Sequence, residues 1–155
     1  MQITIDIEVV ENIEQLSEIE RKLVASAKAI ALQAYAPYSK FYVGAAVLLK
    51  NGEIVSGNNQ ENAAYPSGLC AERTAIFYAN AQYPEQSITT LAVAVFTNNE
   101  FTTQPVTPCG SCRQVMLEAE NRYQQPMRVI MVGQEKIYIA NSVKDLLPLS
   151  FDAIK

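Results

Sequence analysis

Three cysteines and no histidine constrain this chain more than any other feature. All three cysteines lie in two short segments, Cys70-Ala71-Glu72-Arg73-Thr74-Ala75 and Pro108-Cys109-Gly110-Ser111-Cys112-Arg113-Gln114. A structural zinc site takes four protein ligands, nearly always Cys or His, whereas a catalytic site takes three and leaves the fourth position to water. One copy of the chain supplies three soft ligands and no more, so the spacing predicts an open zinc site held by Cys70, Cys109 and Cys112. Each falls at or near the start of an expected helix, where unpaired N–H groups and the helix dipole favour thiolate over thiol.

Glu72, two residues beyond the first ligand, is placed to reach water on the metal and to exchange protons with it. In isolation, an acidic residue in a first helical turn is often only a complement to the dipole. A dithiol redox pair would account for Cys109 and Cys112, but not for Cys70 with its glutamate. Arg73 and Arg113 each follow a ligand. A guanidinium that donates to thiolate sulfur would draw charge from a zinc centre carrying three thiolates. That role is assigned to Arg73, whereas Arg113 fits it no better than it fits an exposed helical position.

At 155 residues the chain fits one domain, 1–155, with a sizeable core. Apolar residues make up 49% of it, yet the mean hydropathy is +0.01, as in ordinary soluble globules. No apolar run reaches the roughly 18–20 residues of a membrane span. MQITIDIEVVENIEQ lacks a basic region followed by an apolar one, so no secretory signal is expected. With three cysteines, this points to a reducing, cytoplasmic setting. A net charge of −4 and the absence of a basic run argue against a nucleic-acid partner. A free small molecule is the expected substrate.

Residues 2–10 alternate loosely and suit a short strand or an arm. Helical spacing begins near Glu14 and places Leu16, Ile19, Leu23, Ala27, Ile30 and Ala31 on one face, ending at Tyr35-Ala36-Pro37. Strands at 42–49 and 53–57 flank Asn51-Gly52, a strong hairpin turn. A polar loop then leads to a helix over 70–81, a strand at 90–96, a second polar loop (TNNEFTTQPVT) and a helix from Cys109. Strands at 127–132 and 136–140 follow, and Asn141-Ser142 caps a short helix over VKDLL. The order predicts a three-layer α/β/α sandwich around a mixed sheet of about five strands.

APYSKFYVGAAVLL, GNNQENAAY, CAERTA, PCGSCRQV and LLPLSF, spanning roughly 35–151, together resemble the small, homotetrameric, zinc-dependent cytidine deaminases that act on nucleosides. The resemblance implies one Zn²⁺ per subunit and hydrolysis of cytidine and 2′-deoxycytidine to the uridine nucleosides with release of ammonia, in pyrimidine salvage or breakdown. It implies that Phe41 packs against the base, that Asn59 and Glu61 bind the ribose hydroxyls, and that the backbone of Ala71 meets the base carbonyl. Phe151 would reach into a neighbouring subunit's site, followed only by the short tail DAIK. Asn62, Tyr65 and Gln114 are weaker candidates.

The chain departs from the family pattern in a longer N-terminus, a somewhat long interval between Cys70 and Cys109, and Asn58 where relatives often carry a further cysteine. Deaminases of cytosine nucleotides, guanine and blasticidin S are the rival enzymes. A nucleotide enzyme needs a basic cluster that is missing here, and the N-x-E-N loop argues against a bare base. A zinc-binding module completed by a partner's ligand is a rival of another class, as is a polynucleotide deaminase. The first would bind zinc without turnover, and the acidic balance counts against the second.

Overall fold

The computed structural model describes residues 1–151, so the DAIK tail lies outside the described residues. The elements run β1 (Ile7–Val10), α1 (Glu18–Ala31), β2 (Tyr42–Leu49), β3 (Ile54–Asn58), α2 (Ala71–Gln82), β4 (Ile88–Thr97), β5 (Glu100–Phe101), α3 (Gly110–Tyr123), β6 (Arg128–Val132) and β7 (Ile137–Ala140). They build one mixed sheet in the order β1-β7-β6-β4-β2-β3, with β5 pairing β4 off that path. Among the described strands, β4 and β6 pair in parallel and every other pair is antiparallel. Among the described residues, no helix is long and apolar enough to cross a membrane.

Alternation along the central strands divides the core into two layers. Leu91, Val93, Val129 and Met131 join α2 and α3 on one face, while Ala92, Ala94, Ile130 and Val132 join α1 on the other. Strands covered on both faces read as the continuous apolar runs seen in the sequence. Two glycines let helices close onto the sheet. A Cβ on Gly44 would stand 2.0 Å from the Ala27 carbonyl oxygen of α1, and one on Gly57 would stand 2.5 Å from the Ala75 nitrogen of α2.

The sheet has seven strands where about five were expected. β1 resolves the choice between strand and arm: its four residues pair antiparallel with β7. β5 arises inside the segment expected to be a polar loop. Asn98 and Asn99 both adopt positive φ, 52° and 63°, and return the chain so that Phe101 pairs with Phe96. Their rings meet edge to face at 5.3 Å.

The first helix is shorter than its periodicity suggests. Glu14 sits in a separate 3-10 turn, Ile13–Gln15, and Leu16 is extended. Ser17 then opens α1 with a capping box: Glu20 N–H donates to Ser17 Oγ, and Ser17 N–H donates to the Glu20 carboxylate. At the other end α1 stops at Ala31, because Tyr35 is drawn into backbone pairing with Asn59 and Glu61.

Glu20 also accepts from Arg128 Nε of β6 at 2.7 Å, fastening α1 to the sheet. Burial opposes its ionisation, but the Ser17 and Arg128 donors outweigh burial and hold its carboxyl below the usual range. A lowered folded-state value gives stability that is present above the unfolded pKa and lost as pH falls through the folded one. Glu20→Gln is therefore expected to cost about 1–2 kcal/mol at neutral pH. Thermal melts of both proteins down to acid pH should show the difference shrinking as pH falls through the lowered folded-state pKa of Glu20, where the wild-type carboxyl takes up its proton.

Candidate active site

The fold brings the cysteines together by strand direction. β2 runs antiparallel to both β3 and β4, so the start of β2 and the ends of β3 and β4 share one edge of the sheet. α2 follows β3, α3 follows β4, and both pack on the same face. Their N-termini therefore meet at the carboxyl ends of these strands, where open α/β sheets bind ligands.

Cys70 and Cys109 are the N-cap residues of α2 and α3, and neither side chain caps its helix, which leaves both sulfurs free to point elsewhere. Cys112 is the third residue of α3 and is buried. The three Sγ atoms lie within 4.8 Å of one another, and those of Cys70 and Cys109 are 3.9 Å apart. A tetrahedral centre with Zn–S bonds of about 2.3 Å needs sulfurs about 3.8 Å apart, so the donor set fits zinc with modest closure. Arg73 Nη2 donates to Cys70 Sγ at 3.5 Å.

The thiols compete for negative charge. The hydrogen bond from Cys112, with further donation from Arg73 and Cys109, lowers the Cys70 pKa to about 5 against the effect of burial. Cys112 is pushed up by that same hydrogen bond, by burial and by the neighbouring charges of Glu72 and Cys70. A dication among the three sulfurs removes this competition and favours thiolate at each.

Glu72 is 5% exposed, and its Oε2 accepts from Cys112 Sγ at 3.6 Å. Burial first, and the negative charge of Cys70 next, raise its pKa. Above the sulfurs opens a cavity of about 350 Å³. Phe41, Asn59, Glu61, Ala71 and Glu72 all line it, so the structure gathers these candidates around one space. A second space of about 310 Å³ adjoins it, sharing Asn59, Glu61 and Cys70 and adding Asn62, Tyr65 and Arg73.

Asn59 and Glu61 do more than face the cavity. Asn59 accepts from Val43 N–H and donates to the Phe41 carbonyl, each at 2.8 Å. Glu61 accepts from the backbone N–H groups of Tyr38 and Ser39 and from the Ser39 hydroxyl. The Ser39 hydroxyl, followed by burial acting the other way and the two backbone donors, holds this carboxyl below its usual range. Phe151 is outside its own chain's cavity. The residue is 72% exposed, while its carbonyl accepts from Gln114 Nε2 at 2.8 Å.

Several contributors were not singled out from sequence. Ser39, Val106 and Thr107 line the cavity: Ser39 lies within the APYSKF segment but was given no role there, and Val106 and Thr107 end the polar loop before Pro108. Arg113, left open between two roles, takes neither. It donates to the carbonyls of Pro108 and Leu146 at 2.8 and 2.7 Å and to Thr107 Oγ1 at 3.1 Å, bracing the turn that presents Cys109.

Three thiols at paired helix starts, a buried carboxyl beside them and an apolar cavity above define a metal-dependent hydrolytic centre. Residues 17–125 match the family model for the cytidine and deoxycytidylate deaminase zinc-binding region, and the chain belongs to that family. It is 41% identical over 128 residues to a cytidine deaminase of Halalkalibacterium halodurans, covering 77% of this chain and 84% of that one. The crystal structure of a cytidine deaminase from Burkholderia pseudomallei superposes with a TM-score of 0.74 at 37% identity, over 88% of this chain and 100% of the other. That of the Mycobacterium tuberculosis cytidine deaminase gives 0.69 at 30% identity, over 86% and 98%. Family and thiol cluster together give one zinc ion per subunit.

Proposed function

We propose that this chain is a single-domain, zinc-dependent cytidine deaminase that hydrolyses cytidine and 2′-deoxycytidine to uridine and 2′-deoxyuridine. The observation that carries this reading is the buried Glu72 carboxyl beside three converging sulfurs, at the floor of a nucleoside-sized cavity. Cys70, Cys109 and Cys112 hold the zinc, which when bound supplies the Lewis acidity that brings ionisation of a coordinated water towards neutral pH. Glu72 takes a proton from the attacking water and delivers one to N3 of the base. A C4–O bond forms; Glu72 then carries the remaining proton of that hydroxyl to the amine, and the C4–N bond breaks to leave the C4 carbonyl and ammonia. Arg73 stabilises the thiolate of Cys70. Phe41 stacks on the base, the Ala71 backbone meets its carbonyl, and Asn59 and Glu61 take the ribose hydroxyls.

The reading extends to a cytoplasmic homotetramer serving pyrimidine salvage or breakdown, with Phe151 completing a neighbour's site. The free cysteines support the compartment, and the exposed Leu149 and Phe151, 73% and 72%, support association. Loss of cytidine absorbance with the purified protein tests the reaction, a chelator-treated sample running alongside. Conversion to uridine that disappears with the zinc is expected. No conversion by folded, zinc-loaded protein would sink the assignment.

A further inference from the structure

Ser39 is the residue of this site whose chemistry the reading above does not use. Its hydroxyl donates to Glu61 Oε2 and accepts from the backbone N–H of Phe41 at 3.1 Å. One hydroxyl thus joins the two cavity residues assigned to opposite ends of a nucleoside. The backbone turn that allows this is unusual: Lys40, between them, sits at φ 56°, a region that lysine rarely enters. Lys40 N–H donates to the Ala36 carbonyl and Thr97 Oγ1 donates to the Lys40 carbonyl, both at 3.1 Å, so the neighbours enforce the conformation.

Glu61 has about four lone-pair sites, and three are taken by Tyr38 N–H, Ser39 N–H and the Ser39 hydroxyl. Both oxygens are therefore fixed in direction, and acceptor capacity remains for one further donor.

We infer that Ser39 is a positioning residue for sugar recognition, its hydroxyl aiming the Glu61 carboxylate while tying it to the Phe41 backbone. The inference rests on the assignment of Glu61 to the ribose. Ser39 itself touches no reacting atom, so its effect belongs in KM for substrates that carry sugar hydroxyls.

The test compares wild type, Ser39→Ala, Ser39→Thr, Glu61→Gln and the Ser39→Ala/Glu61→Gln pair on cytidine and on 2′,3′-dideoxycytidine, with zinc content and Tm measured throughout. Ser39→Ala should raise KM for cytidine about tenfold while kcat stays within about twofold, and Ser39→Thr should restore it. On dideoxycytidine, and in the Glu61→Gln background, the alanine should have almost no effect. Equal losses on both nucleosides, additive losses with Glu61→Gln, an unchanged KM for cytidine, or failure to fold would each overturn the inference by leaving Ser39 a structural residue at most. A wild-type enzyme that does not distinguish the two nucleosides would instead remove Glu61 from the sugar and overturn both assignments together.

Discussion

Glu72→Gln is expected to reduce kcat about 10³–10⁴-fold while leaving the fold and one zinc per subunit in place. Glu72 is the second residue of α2, 5% exposed, with Cys112 Sγ 3.6 Å from its carboxylate. Glutamine has nearly the same shape, so the buried site gains neither a cavity nor a charge. It cannot accept and return a proton, and positioned general acid–base catalysis contributes about 10²–10⁴-fold. The raised pKa marks a carboxyl whose charged form is disfavoured where it sits, so the amide should hold Tm level or raise it slightly. Steady-state kinetics with zinc analysis and a thermal melt checks all three expectations. Substantial turnover by the variant would take the proton-transfer role away from Glu72.

Cys112→Ser should have an effect as large by another route. Cys112 is fully buried in the first turn of α3, and its sulfur is one of only three soft donors in the cluster. A serine hydroxyl does not ionise near neutral pH and binds zinc weakly. The loss of affinity should exceed the about 10–100-fold that follows from losing an outer-shell partner. Purified variant is expected to contain well under one zinc per subunit and to lack measurable deamination, with turnover failing to return on dialysis against moderate zinc. Full zinc occupancy with normal turnover would show that the donor set is different.

What could be read from the sequence follows the range of the interactions involved. The Cys-x-Glu and Pro-Cys-x-x-Cys segments are local, and each ligand sits within a residue or two of its helix start. The Asn51-Gly52 hairpin and the apolar central strands are local in the same sense. β5 was illegible because a two-residue strand carries no periodicity, and its existence depends on two asparagines entering positive φ. The start of α1 was missed because apolar spacing continues through Leu16, whereas the Ser17–Glu20 capping box decides where the helix begins. Arg113 gave no hint of its role because its partner Leu146 is 33 residues away. For Asn59 and Glu61, the family resemblance alone implied contact with substrate. They could not show that the same side chains hold backbone groups of residues 38–43.

That bracing has a consequence for affinity. Loops that line binding sites commonly lose conformational freedom when ligand arrives, and the loss is subtracted from binding. Here the segment from Tyr38 to Val43 is tied to Asn59 and Glu61 by hydrogen bonds present in the free chain. Its ordering cost belongs to folding, a step driven by burial of two core layers. A nucleoside then meets a wall already set in place, and more of its contact energy is available to discriminate between substrates.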